Sequence, residues 1–171
     1  FFFKQKTAYE IPKRDWSSDV CSSDLADNAQ YLLGQTQIQL GKWDLAVQTL
    51  QESAKRWPDK RPDSILFWLG EAYTRGNQFA EAESRYAEVL EKFPRTMHLT
   101  GALYGLAFAQ IKQGRLAQAG DTLDKLAKVQ PRGDAEFESD LLRAQLHLAR
   151  KDFAAAEKTL AAIRSEEHTS E

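Results

Sequence analysis

Cysteine is almost absent from this 171-residue chain, where Cys21 stands alone. That excludes an internal disulfide framework and a multi-cysteine zinc site. Methionine is equally scarce, with Met97 the sole example, and the chain opens on Phe1. No run approaches the roughly 18 apolar residues that a membrane-spanning helix needs, which argues against direct membrane insertion. Charge of one sign is also lacking: 23 Lys+Arg face 25 Asp+Glu, a formal net charge of -2. Such a balance gives no electrostatic reason to expect nucleic acid as a partner. Catalytic signatures are missing too. There is no G-x-x-x-x-G-K-[ST], no H-E-x-x-H, no G-x-S-x-G and no C-x-x-C. The expectation is therefore no catalytic residue, no metal and no cofactor. What is present is an ordinary globular composition, 42% hydrophobic and 28% charged.

The two ends read differently from the middle. Residues 1–25 show no sustained helical or strand period, and no apolar core follows Lys4 and Lys6 as a signal peptide would require. Taken back to codons, Lys4–Glu10 and Asp15–Leu25 resemble successive parts of a short-read sequencing adapter. Residues 164–171 resemble its complement. Both segments are expected to be adapter-derived tails, the first of them disordered, with little packing on the body. Residues 26–163 then form the natural part, a fragment whose true termini and signal peptide are missing. It has no cysteine and equal numbers of basic and acidic residues.

This body repeats itself. Ala46, Ala82, Ala119 and Ala156 recur at a spacing of 36 or 37 residues. Three positions before each alanine stand Trp43, Phe79, Leu116 and Phe153. Four after each stand Leu50, Tyr86, Leu123 and Leu160. Pro58, Pro94 and Pro131 follow the first three alanines at one fixed distance, and Gly34, Gly70, Ala107 and Ala144 precede all four at the same distance. Five columns in register mark a repeat array, the pattern to seek before any other.

Each unit reads as two helices. In the second, residues 64–75 carry Ile65, Leu66, Phe67, Trp68, Leu69, Ala72 and Tyr73, a wide apolar face at helical period. Gly76 and Asn77 break it, and Phe79, Ala82, Tyr86, Val89 and Leu90 mark a second amphipathic helix. Pro94 ends that helix, because proline disfavours helix in the residue before it. Gly41 and Gly114 make the matching turns in units one and three; unit four has Lys151 and Asp152, a weaker break. The small residues are expected where paired helices cross closely, Gly34 against Ala46, Gly70 against Ala82, Ala107 against Ala119 and Ala144 against Ala156. The units are placed at about 27–62, 63–99, 100–136 and 137–163, the last incomplete. At that cut edge Leu160 and Ile163 are expected to stay partly exposed.

These columns resemble the tetratricopeptide repeat. Its W-x2-L-G-x2-Y…A-x3-F…P pattern is fullest in unit two, as Leu66, Leu69, Gly70, Tyr73, Ala82, Tyr86 and Pro94. Unit four departs most, with Asp140, Arg143 and His147 where apolar or aromatic residues are usual. The resemblance implies an all-α, right-handed α-solenoid of antiparallel helix pairs, about four repeats long. Long linkers after Pro58 and Pro94 resemble those of bacterial cell-envelope repeat proteins, which leans the location toward the envelope or periplasm over the cytoplasm.

The resemblance also implies a concave groove lined by the first helix of each unit. Carried over residue by residue, one groove column is Tyr31, Phe67, Tyr104 and Leu141. The next is Gln35, Glu71, Phe108 and Gln145. A third is Ile38, Thr74, Ile111 and Leu148, followed by Gln39, Arg75, Lys112 and Ala149. The groove would be aromatic and apolar with mixed polar edges, and it lacks the Lys/Asn cluster with which family members clamp a C-terminal carboxylate. The expected function is a non-catalytic scaffold that grips a peptide or partner helix of another protein there. The alternative is the repeat part of a larger enzyme or sensor whose active domain is missing. His98 and His147 lie in different units without a placed partner, so neither makes a site. Arg132-Gly133-Asp134 reads as a turn between units, although it spells a cell-adhesion tripeptide.

Overall fold

The computed structural model of the chain describes residues 18–129 and 134–167. Arg132, Gly133, most of the N-terminal segment and residues 168–171 lie outside the described residues. Every regular element among those described is a helix: α1 (Ser18–Gln39), α2 (Trp43–Arg56), α3 (Pro62–Arg75), α4 (Phe79–Lys92), α5 (Leu99–Lys112), α6 (Leu116–Val129), α7 (Asp134–Ala149) and α8 (Phe153–Glu167). They pair α1 with α2, α3 with α4, α5 with α6 and α7 with α8, and successive pairs stack into an α-solenoid.

The helices form where the amphipathic columns lie. On α4, Ala82, Tyr86 and Val89 are fully buried and fall on one face. Glu81 in its first turn and Lys92 in its last complement the helix dipole. The chain then leaves the helix at Phe93, whose amide bonds the Val89 carbonyl at 2.8 Å just before Pro94. The turns inside the pairs share one left-handed residue: Gly41 (φ 74°), Asn77 (φ 59°), Gly114 (φ 76°) and Lys151 (φ 61°). In unit two the left-handed position belongs to Asn77, and Gly76 is the residue before it. Asparagine tolerates that region better than other side chains do.

In the first two units the glycine of the expected crossing lies closest to a large residue. A side-chain carbon on Gly34 would lie 2.7 Å from Leu50 Cδ2, and one on Gly70 would lie 2.6 Å from Tyr86 Cε1. The glycine thus receives the large residue four positions after the alanine, while the alanines at 46, 82, 119 and 156 pack in the core nearby.

Three core clusters each join one unit to the first helix of the next. Ile38, Ala46 and Leu50 pack on Ile65, Leu69 and Ala72. Ala82, Tyr86 and Val89 pack on Ala102, Leu106 and Ala109. Ala107, Ala119, Leu123 and Leu126 pack on Leu142 and Leu146. This is the repeat logic in which neighbours bury each other's apolar faces.

Both terminal helices cross the expected edges of the body. α1 starts at Ser18 and α8 runs to Glu167, since extending a formed helix gains a hydrogen bond for each residue fixed. Asp24 reaches Lys60 at 2.8 Å with both side chains exposed, a contact that contributes little.

Candidate functional site

The first helices make the inner side of the solenoid. α1 touches α3, α3 touches α5 and α5 touches α7, whereas among the described residues the second helices do not touch one another. That asymmetry curves the stack around α1, α3, α5 and α7.

A cavity of about 360 Å³ opens on this inner side, with Phe67, Trp68, Glu71 and Arg75 from α3 and Tyr104 from α5 in its walls. Gln39, Thr100, Gly101, Leu126 and Glu138 complete it. Phe67 is held by three rings: edge-on to Trp68 at 5.4 Å, tilted to Tyr86 at 6.1 Å, and stacked on His98 at 4.5 Å with 11° between planes. Gly101 lets it lie close, because a side-chain carbon there would stand 3.0 Å from Phe67 Cε2. Trp68 Nε1 donates to the Tyr31 hydroxyl at 2.9 Å, which ties α3 to α1. These are fixed rings, positioned without further ordering cost when a ligand arrives.

The polar side of the cavity is wired to the core. Tyr86 donates its hydroxyl to Glu71 Oε1 at 2.7 Å, and the Thr74 hydroxyl lies 3.2 Å from the Tyr86 hydroxyl oxygen. Burial, with the Glu71 charge beside it, pushes the Tyr86 phenol far above its ordinary value. Arg75 Nε sits 3.7 Å from Glu71 Oε2. Tyr104 is also raised, by burial first and then by the Glu138 and Glu71 charges. Two carboxylates therefore act on the phenol that faces this space.

Phe67, Glu71, Arg75 and Tyr104 thus come together as a cavity wall. Tyr31 stands beside it, half-buried beneath Arg61, whose guanidinium carbon lies 5.1 Å from the ring centroid. Gln35 is half-buried, and Leu141, Gln145 and Lys112 are exposed, but none of these four joins the cavity wall. Phe108 stands apart. It meets Phe79 edge-on at 6.2 Å, and Lys112 Nζ lies 5.1 Å from its ring centroid. It does not continue the strip made by Phe67 and Tyr104.

The third expected column is corrected. Ile38 is 0% exposed and belongs to the core between the first two units. Ile111 packs against the core that includes Leu142 and Leu146 of α7, and Thr74 is engaged with Tyr86. Ile38 and Ile111 thus face the next unit, and Leu148, in the last described unit, is exposed. Trp68, Gly101 and Glu138 were not legible as groove residues. Trp68 sits one place past the Phe67 column, and only the stacking of α1, α3 and α5 turns it inward.

Two family models, each described as Tetratricopeptide repeat, match residues 31–96 and 76–139. Among solved structures, one titled "MamA RS-1 ArsTM double mutant" is similar in fold, with a TM-score of 0.66 and 16% sequence identity. The similarity covers 80% of this chain and 72% of that one. No curated protein sequence matches.

Proposed function

The chain belongs to the tetratricopeptide repeat family, matched across residues 31–139, and on that premise we propose that it is a non-catalytic scaffold holding a peptide or partner helix in its concave groove. Repeats of this family generally mediate protein–protein interaction, and solenoids bind through the extended concave surface their curvature creates. No helix among the described residues is long and apolar enough to cross a membrane.

The observation that carries the proposal is the inner cavity of about 360 Å³ walled by Phe67, Trp68 and Tyr104. Rigid aromatic anchors of this kind supply contact area at low entropic cost and dominate interface energetics. Glu71 and Glu138 stand on the same wall. The occupant we propose carries an aliphatic or aromatic side chain for the rings and a Lys or Arg nearby for the carboxylates. A cation over Tyr104 would gain from both the ring face and the charges.

Selection of peptides from a random displayed library against the intact chain tests this reading. The expected result is a motif pairing an apolar residue with a basic one. Enriched motifs that are acidic, or none at all, would count against it.

A further inference from the structure

We propose that Tyr86, buried where no ligand reaches it, sets the groove's preference for a basic group by holding the Glu71 carboxylate in place, a role that rests on the reading of the inner cavity as the ligand site.

Four residues of one contact chain depart together from their repeat columns. At the place of Tyr86 the other units carry Leu50, Leu123 and Leu160. At the place of Thr74 they carry Ile38, Ile111 and Leu148, and at that of Glu71 they carry Gln35, Phe108 and Gln145. Gly105 receives the Tyr86 ring at the second junction between units, where the first and third have Trp68 and Leu142. Leucine serves the packing at the Tyr86 position in the other three units, so packing does not call for a phenol there. A buried phenol oxygen costs free energy unless it is hydrogen-bonded, and this one is aimed at a carboxylate of the cavity wall.

The ring has little choice of place. Tyr86 is fully buried between Gly70 of its own unit and Gly105 of the next, and a side-chain carbon on either glycine would overlap it. From that fixed position the hydroxyl donates to Glu71 Oε1 at 2.7 Å. Thr74 flanks the phenol oxygen at 3.2 Å and donates its own hydroxyl to the Gly70 carbonyl at 2.8 Å. Burial and the Glu71 charge push the phenol far above its ordinary value, so it keeps its proton and stays a donor.

One oxygen of Glu71 is thus held from the core, and the other is left for the cavity. Oε2 has Arg75 Nε at 3.7 Å, beyond hydrogen-bond distance. The Glu71 side chain is 24% exposed, on the wall shared with Phe67, Trp68 and Tyr104. A Lys or Arg of the occupant can give Oε2 a charge-assisted hydrogen bond. A glutamate already held in one rotamer loses little freedom when that bond forms, whereas an untethered one must be ordered first. Without the phenol the carboxylate is free to turn toward solvent or close on Arg75, and the basic group loses its fixed acceptor.

The test uses the peptide selected from the displayed random library on the unaltered chain, and the same peptide with norleucine in place of its basic residue. Both are titrated calorimetrically into the unaltered chain, Tyr86→Phe and Glu71→Gln. Tyr86→Phe keeps the ring and removes only the hydroxyl, and circular dichroism checks its helix content. The unaltered chain should prefer the basic peptide by at least about tenfold, the share of one hydrogen bond to a charged group. In Tyr86→Phe that preference should shrink to about threefold or less, while the norleucine peptide binds within about twofold of its affinity for the unaltered chain. Adding Tyr86→Phe to Glu71→Gln should change the preference no further. An undiminished preference in folded Tyr86→Phe would overturn this role and leave the groove reading standing. So would a loss of affinity that both peptides share, which marks Tyr86 as packing alone. A library that yields no basic residue would overturn the groove reading and this role with it. If Tyr86→Phe loses helix content, Tyr86→Leu, with the residue of the other three units, replaces it under the same expectations.

Discussion

The ring of Tyr86 lies against the backbone of Gly105, so that α4 of one unit and α5 of the next meet with no side chain between them on the α5 side. The opposite edge of the same ring meets Gly70 of its own unit, and Tyr86 is fully buried. Gly105→Ala places a methyl where the ring already is. Overpacking of this kind costs about 1–3 kcal/mol, against which alanine returns up to ~1 kcal/mol of helix propensity. The expected net loss is on the order of 1–2 kcal/mol by urea denaturation. The third junction uses Leu123 with Leu142 in these places, so Tyr86→Leu together with Gly105→Ala should cost less than the two single changes summed. A double-mutant cycle with no favourable coupling would show that the two residues do not share one space.

Arg61 fastens α1 to the repeat stack. Its guanidinium lies 3.1 Å from the Asp27 carboxylate, which is 1% exposed, and 3.3 Å from Asn28 Oδ1. Removing one partner of a buried pair leaves an uncompensated charge. Neither Asp27 oxygen makes a hydrogen bond and Arg61 is partly exposed, so Arg61→Ala is expected to destabilise by only about 1–2 kcal/mol, below the range for a well-formed buried pair. The double change Arg61→Ala with Asp27→Asn should recover part of the loss. Denaturation curves for the three variants check this directly.

His98 makes the fold sensitive to acid. Burial pushes its imidazole below the ordinary value, with the Asp63 charge opposing. The ring stacks on Phe67, and its Nε2 lies 3.0 Å from the Ser64 hydroxyl. The unfolded chain takes up this proton first, so stability is intact above about pH 6.5 and declines as pH falls below that. Burial alone would raise Asp63, but the Thr96 hydroxyl at 2.6 Å, the Ser64 amide and the His98 charge hold it below its ordinary value. Its contribution is lost only at lower pH, below about 4. Melting temperature measured between about pH 7.5 and 5.5 should fall, and His98→Gln should flatten that interval. An unchanged slope in the variant would assign the acid sensitivity elsewhere.

Much of this architecture was legible because helical repeats write the same contacts several times. The alanine column at Ala46, Ala82, Ala119 and Ala156 located every second helix, and Pro58 and Pro94 located the ends of α2 and α4. The small residues at Gly34 and Gly70 announced close packing. What they pack against, Leu50 and Tyr86, depends on how the two helices are offset, which spacing alone does not state. The groove was legible in part. Phe67, Glu71, Arg75 and Tyr104 share a cavity because they lie on the sides of α3 and α5 that face neighbouring first helices. Ile38, one turn further along α1, faces the next unit and is core. Helical period tells which residues share a face, and the angle between stacked units decides whether that face meets solvent or another helix.

The central claim, a ligand groove centred on Tyr104, is tested most directly by isothermal titration of a library-selected peptide into three forms of the chain. These are the unaltered protein, Tyr104→Ala and Phe108→Ala. Tyr104 stands in the cavity wall with Phe67 and Trp68, whereas Phe108 packs against Phe79 outside it. The account predicts that Tyr104→Ala, with helix content preserved, weakens binding by more than ~2 kcal/mol, about thirtyfold in Kd. Phe108→Ala should bind within about threefold of the unaltered chain. Full affinity in a folded Tyr104→Ala protein would contradict the assignment and move the binding surface away from this groove.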